Sequence, residues 1–262
     1  RRVHGELPFA METPLLLLLV LLCLRSYTSS LKLPTYIKPC SRNDPNINTC
    51  ATQHAISAIP HFINGDPKYR VPPLDPLLIE ELSVKQGSPN FGLSFTARNV
   101  SIRGLKNVQV KAVRIDLQKQ HIEYDLLVPT VEVLCRYSVS GQVLVVPISG
   151  SGNGVLVFKD LDLRIAFDFD KVRKKPQGKE YVSPKNFLIT TEAHGLTVNL
   201  ENLFNGNKFL GDNMNTFLNE NWRDLMHELA PPVGEALIQV LETTLTNIFE
   251  LVSYDDSFPE TV

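Results

Sequence analysis

What this sequence lacks most plainly is a catalytic or metal-binding signature. It holds no His-Glu-x-x-His and no Gly-x-Ser-x-Gly. None of His54, His61, His121, His194 or His227 stands at metal-ligand spacing from another histidine or cysteine. The run Gly150-Ser151-Gly152-Asn153-Gly154 misses the closing Gly-Lys-Ser/Thr of a phosphate loop and leads into a strand. It is expected to be a Gly-rich bend between two strands. The pairs Asp160/Asp162 and Asp168/Asp170 fall on the polar side of an alternating strand, where solvent is their expected partner. No catalytic residue, metal or cofactor is expected.

Basic charge is also scarce. Twenty-six Lys and Arg face 28 Asp and Glu, a net charge of −2. That balance gives no footprint for nucleic acid or an anionic membrane surface. The one basic run, KVRKKPQGK at 171–179, reads as a solvated hairpin tip.

Long apolar runs are missing. The longest, Leu15 to Leu24, falls short of the about 20 residues that span a bilayer. It fits a secretory h-region, followed by the small residues Ser26, Thr28, Ser29 and Ser30. If Met11 is the start, its n-region Met11-Glu12-Thr13 carries no basic residue. Residues 1–30 are expected to be leader and cleaved signal peptide, and 31–262 a single domain. The product is then secreted, in haemolymph or another extracellular fluid, with no integral membrane segment.

Cysteine is sparse, at four. Cys23 leaves with the signal. Cys40 and Cys50 are near neighbours in a Pro/Asn-rich stretch, and in an oxidising compartment such a pair defaults to a disulfide. Cys135 lies on the apolar side of a strand and reads as a buried, inert thiol. Asn99-Val100-Ser101 is a glycosylation sequon suited to a secreted chain.

What the chain has in abundance is apolar periodicity. Thr49 to Ile63 has helical character and is expected to end near Pro60. Asp75 is placed to cap a short helix with Pro76 at its first position and Leu78, Ile79 and Leu82 on its apolar side. From Phe91 to Leu203 the period is two, with a slip near Ala112 that predicts a bulge. Val155 to Asp170 is the clearest strand, apolar on one face and acidic on the other. The last fifth is helical, with Asp212 as N-cap and a kink or break at Pro231-Pro232. Long strands followed by a long apolar helix predict an α+β fold: a strongly curved antiparallel sheet around a C-terminal helix.

The apolar faces exceed what a thin core needs, which predicts an elongated internal cavity. Phe91, Phe95, Val133, Tyr137, Val139, Leu163 and Phe167 are the ligand-binding candidates from the sheet. Phe217, Trp222, Leu225, Met226, Leu229, Leu237 and Leu241 are those from the helix. The Tyr137 hydroxyl is the expected polar handle for a ligand oxygen.

The segments LPTYIKPCSRNDPNINTC, AISAIPHFINGDPKYRVPPLDPLLIEEL, PISGSGNG, NENWRDLM and YDDSFP resemble the takeout and juvenile hormone-binding protein family of insects. The match runs over roughly 31–258. The resemblance implies the helix-in-curved-sheet architecture of the lipid-binding TULIP modules, with an internal hydrophobic tunnel. It implies a non-catalytic, monomeric carrier of small hydrophobic ligands: long-chain fatty acids, isoprenoids, juvenile hormone or related terpenoids. By similarity Cys40 and Cys50 form the family's N-terminal disulfide. Juvenile hormone carriers have a second disulfide, for which Cys135 has no partner, and this points to the takeout-like branch. Two other readings are a secreted hydrolase of lipid esters, resting on His61 or His194, and an extracellular signalling or structural protein without a ligand.

Overall fold

Two long strands set the frame. In the computed structural model, which describes residues 31–88, 91–144, 146–174 and 178–262, β4 (His121–Val143) and β5 (Val146–Lys174) pair antiparallel along almost their whole length. Their alternating sequences leave one apolar face and one polar face, so register is pinned by burial. β6 (Lys179–Leu200) continues the sheet beyond β5. On the other side β4 is flanked end to end by two shorter strands. β2 (Phe91–Arg103) covers its later half and β3 (Gln109–Asp116) its first half. β1 (Leu77–Ser88) pairs with β2, giving the order β1-β2-β4-β5-β6 with β3 beside β4.

The crossing from β2 to β3 requires Gly104. Its φ is +101°, and a Cβ there would lie 2.1 Å from the Thr130 carbonyl oxygen.

Four helices complete the unit Lys32–Val262. α1 (Ile47–Phe62) packs on β3. α2 (Lys208–Glu220) lies on β6, and α3 (Trp222–Leu251) touches both β6 and β1. Those are the two ends of the sheet, so the sheet is curled and α3 bridges its open side. At 1.5 Å per residue α3 is about 45 Å long. A short α4 (Tyr254–Ser257) closes the chain on β6.

Several sequence expectations need correction. Asp75 caps no helix of its own, because Leu77-Leu78-Ile79 joins the sheet as β1. Its carboxylate instead accepts from the Gly104 and Lys106 amides, at 3.1 and 2.8 Å, and so caps the turn Leu105–Asn107. α1 ends at Phe62, near Pro60 as expected, with that proline inside its last turn. The C-terminal stripe is two helices. α2 starts earlier than expected, with Asn207 as N-cap and its Oδ1 accepting from the Leu210 amide. The break comes at Asn221, and α3 runs as one element through Pro231-Pro232. The Gly150–Gly154 run is no bend. It lies inside β5, where the turn after β6 passes so close that a Cβ on Gly152 would sit 2.4 Å from the Glu201 carbonyl oxygen. The predicted bulge is present between Val110 and Ala112.

Among the described residues no helix is long and apolar enough to cross a membrane. The stretch assigned to a signal peptide, 1–30, lies outside the described residues.

Candidate functional site: an apolar cavity between sheet and helices

The inward faces do not close on one another. A cavity of about 620 Å³ lies between the curled sheet, α1 and α3, within the roughly 300–1,000 Å³ range of small-molecule sites. Its wall is overwhelmingly aliphatic and aromatic, and the basic side chains there are Lys38 and His54.

Of the residues predicted from the sheet, Phe95, Val133, Val139 and Leu163 line this cavity. Of those predicted from the helix, Leu225, Met226, Leu237 and Leu241 do. Four others lie outside the lining. Tyr137 is buried, stacks on Phe95 with centroids 6.3 Å apart, and donates its hydroxyl to the Glu201 carbonyl at 2.6 Å. The expected polar handle is therefore engaged in holding the chain after β6. Phe167 is fully buried in an aromatic cluster with Tyr124, Phe187 and Phe249. Phe217 and Trp222 pack against the core from the helix side, and the Arg223 guanidinium covers the Trp222 ring at 4.6 Å. The side chains of Phe91 and Leu229 lie outside the described residues.

The sequence reading missed the wall supplied by α1. Ala51, Ala55, Ala58, Ile59 and Phe62 face the cavity. Their three- and four-residue spacing was the available signal. Small residues there keep the helix close to the sheet while leaving room inside.

Cys40 and Cys50 form a disulfide at the cavity edge. His54 packs beside it, with Nδ1 3.4 Å from the Cys40 sulfur and 3.0 Å from the Lys38 carbonyl oxygen. Cys50 and His54 stand one helical turn apart on α1, a spacing the sequence reading passed over, and the fold adds Cys40 to them. The sulfurs are bonded to each other, so neither is a thiolate ligand. Cys135 is buried and unpaired, and burial pushes its thiol up. It lines the cavity wall.

The polar clusters lie on the outer face. His121 Nδ1 is 2.7 Å from Asp168 and Nε2 3.1 Å from Glu123. The hydrogen bond to Asp168 raises the imidazole above its ordinary value. Arg114 joins Glu123 to Asp125, both at 2.7 Å. His194 meets Asp162 at 3.0 Å on an exposed surface, and His61 stacks on Tyr36. None of His61, His121 and His194 lines the cavity.

Residues 16–259 match the haemolymph juvenile hormone binding protein family as a whole. The chain belongs to that family. The circadian clock-controlled protein daywake of Drosophila melanogaster is 26% identical over 233 residues, 86% of this chain and 88% of its own. The juvenile hormone-binding protein of Manduca sexta is 33% identical over a shorter span, 85 residues or 32% of this chain and 35% of its own. Among solved structures, Takeout 1 of Epiphyas postvittana superimposes with a TM-score of 0.77 at 28% identity. That match covers 85% of this chain and all of the other. The α+β architecture of a curled antiparallel sheet closed by a long helix is thus the takeout fold. Within it, this family member carries the N-terminal Cys40–Cys50 bridge and, among the described residues, one free cysteine, Cys135.

Proposed function

We propose that the protein is a secreted, non-catalytic carrier of small hydrophobic molecules, held in the cavity between sheet and helices. The observation that carries this reading is the cavity itself: about 620 Å³ with an almost wholly apolar wall. Burying about 400 Å² of ligand surface contributes on the order of 10 kcal/mol gross at roughly 25 cal/mol/Å². After the cost of immobilisation, micromolar to nanomolar affinity remains within reach without an ion pair. Long-chain fatty acids and isoprenoids fit that chemistry, as do terpenoids related to the hormone named for the Manduca relative. Among the described residues Cys135 has no partner for a second bridge, which favours takeout-type ligands over the hormone itself.

The test is displacement of a fluorescent fatty-acid probe from purified protein. Saturable displacement by at least one apolar ligand class is expected, and its absence across all of them overturns the reading. The hydrolase alternative loses support from the positions of His61 and His194 outside the lining.

Secretion also makes Asn99 a sugar acceptor. It is exposed, with φ at +50°, in the β2 irregularity between Arg98 and Ser101. Expression in a secretory cell should place the protein in the medium, with a glycosidase-sensitive mass gain that Asn99→Gln removes. Protein retained in the cell, or secreted without that gain, counts against this part.

A further inference from the structure

The cavity has one polar end. Most of its wall offers a ligand only hydrocarbon, and Thr244, a hydroxyl within it, is already satisfied by donating to the Val240 carbonyl at 2.8 Å. Two other hydroxyls are not satisfied. Ser257 is 9% exposed, and its Oγ is buried without a hydrogen-bond partner among the described residues. Tyr124 has ring contacts but likewise no hydrogen-bond partner for its hydroxyl among the described residues. The residue is half-buried, and desolvation pushes its phenol up to about 12. Leaving a buried hydroxyl such as that of Ser257 unmet is costly, and native proteins seldom keep one without a use.

Both residues line the cavity, and both belong to the same end of it. Tyr124 sits on β4 two positions from Ile122, and packs with Ile122, Phe249 and Phe258 in the cluster around Phe167. Ser257 stands between Tyr254 and Phe258 of that cluster. The YDDSFP ending thereby gains a chemical role. Ser253 caps α4, its Oγ accepting from the Asp256 amide, while Asp256 pairs with Lys32. The frame so held sets Ser257 at the cavity wall.

We propose that the Tyr124 and Ser257 hydroxyls seat the oxygen-bearing head group of the ligand, such as an ester or ketone. This rests on the carrier reading and gives it a polarity. The apolar chain runs from that end toward Val139. The fifteen residue steps along β4 from Tyr124 to Val139 correspond to a contour of about 50 Å at roughly 3.3 Å per residue. Lys38 and His54 line the same cavity, and the Cys40 segment that carries Lys38 is tied to the chain just after Ser257, where the Arg42 amide donates to the Pro259 carbonyl at 2.8 Å.

The test compares a long-chain methyl ester with the n-alkane of matched length, each displacing a fluorescent naphthylamine from wild type, Tyr124→Phe and Ser257→Ala proteins. Wild type should bind the ester more tightly than the alkane. Each variant should lose about three- to ten-fold for the ester while keeping its alkane affinity, which also reports that the variant is folded. Equal affinity of wild type for ester and alkane overturns the head-group seat and leaves the carrier reading standing. So does an ester affinity that neither substitution changes, or losses shared equally by the alkane. Failure of wild type to bind either compound or the dye overturns the carrier reading itself.

Discussion

The Asn219 carboxamide stands beside Val198 in place of a neighbouring strand. Its Oδ1 accepts from the Val198 amide at 2.7 Å, and its Nδ2 donates to the Val198 carbonyl at 2.8 Å. One turn earlier on α2, Asn215 does the same for Leu200, at 2.9 and 3.0 Å. The i, i+4 spacing of a helix thus matches the i, i+2 spacing of bonding groups along the edge of β6. At the β3 edge α1 plays a similar part, with Thr52 accepting from the Val113 amide and Asn48 from the Ile115 amide. An open, curled sheet has exposed edges that invite pairing with another chain, and here helices cover them. Asn219→Ala leaves a buried amide and carbonyl unmet and should lower stability by about 2 kcal/mol. Urea unfolding checks this, and an unchanged midpoint would show that water serves β6 equally well.

Filling the cavity should separate binding from stability. Val133 lines it from β4. Val133→Trp places a large ring in empty space rather than in packed core, so the usual overpacking cost of about 1–3 kcal/mol is mostly avoided. Probe affinity should fall at least about ten-fold, or 1.4 kcal/mol, with the melting temperature nearly kept. Retained affinity would place the ligand elsewhere.

The Cys40–Cys50 bridge closes a loop of sequence separation 10. Closing so short a loop restrains the unfolded chain by about 3 kcal/mol. The Cys40→Ser/Cys50→Ser double variant should lose that amount in denaturant unfolding. It should also bind probe more weakly, because Cys40 and the α1 wall beside it line the cavity.

His121 links β4 to β5 on the outer face, and its stabilisation depends on pH. Its imidazole is raised, chiefly by Asp168 and further by Glu123. Asp168 is lowered by Asn186 first and His121 next, and Glu123 by Arg114 first and His121 next. A raised histidine stabilises fully below its unfolded value of about 6.5 and loses the effect as pH climbs through the folded value. The lowered carboxylates contribute above their unfolded range near 4 and lose it as pH falls. The window is therefore about pH 4.5 to 6.5. His121→Gln should cost under about 1 kcal/mol there, as the groups are partly exposed, and still less at pH 8.5. Melting curves at the two pH values measure the difference, and an equal cost at both removes the ionic part of this account.

Periodicity alone determined the strands from Phe91 onward, the bulge near Ala112, the helical C-terminus and the apolar face that the ligand candidates share, because side-chain alternation is local physics. The disulfide was legible from compartment and proximity. Tertiary structure decided the rest. Leu77–Ser88 is a strand because β2 offers it an edge, and the Asp75 carboxylate went to a turn 31 residues away. Apolar residues with the same alternation were divided between a cavity wall and a closed core: Leu163 faces the space, and Phe167 is sealed among aromatic rings. Periodicity reports which face is buried. It cannot report whether the opposing face arrives close enough to fill the gap, since that depends on how far the sheet curls and where α1 and α3 stop. For the same reason Tyr137, a polar group on the right face, spends its hydroxyl on Glu201, whereas Tyr124 and Ser257, 133 positions apart in the chain, share one end of the cavity.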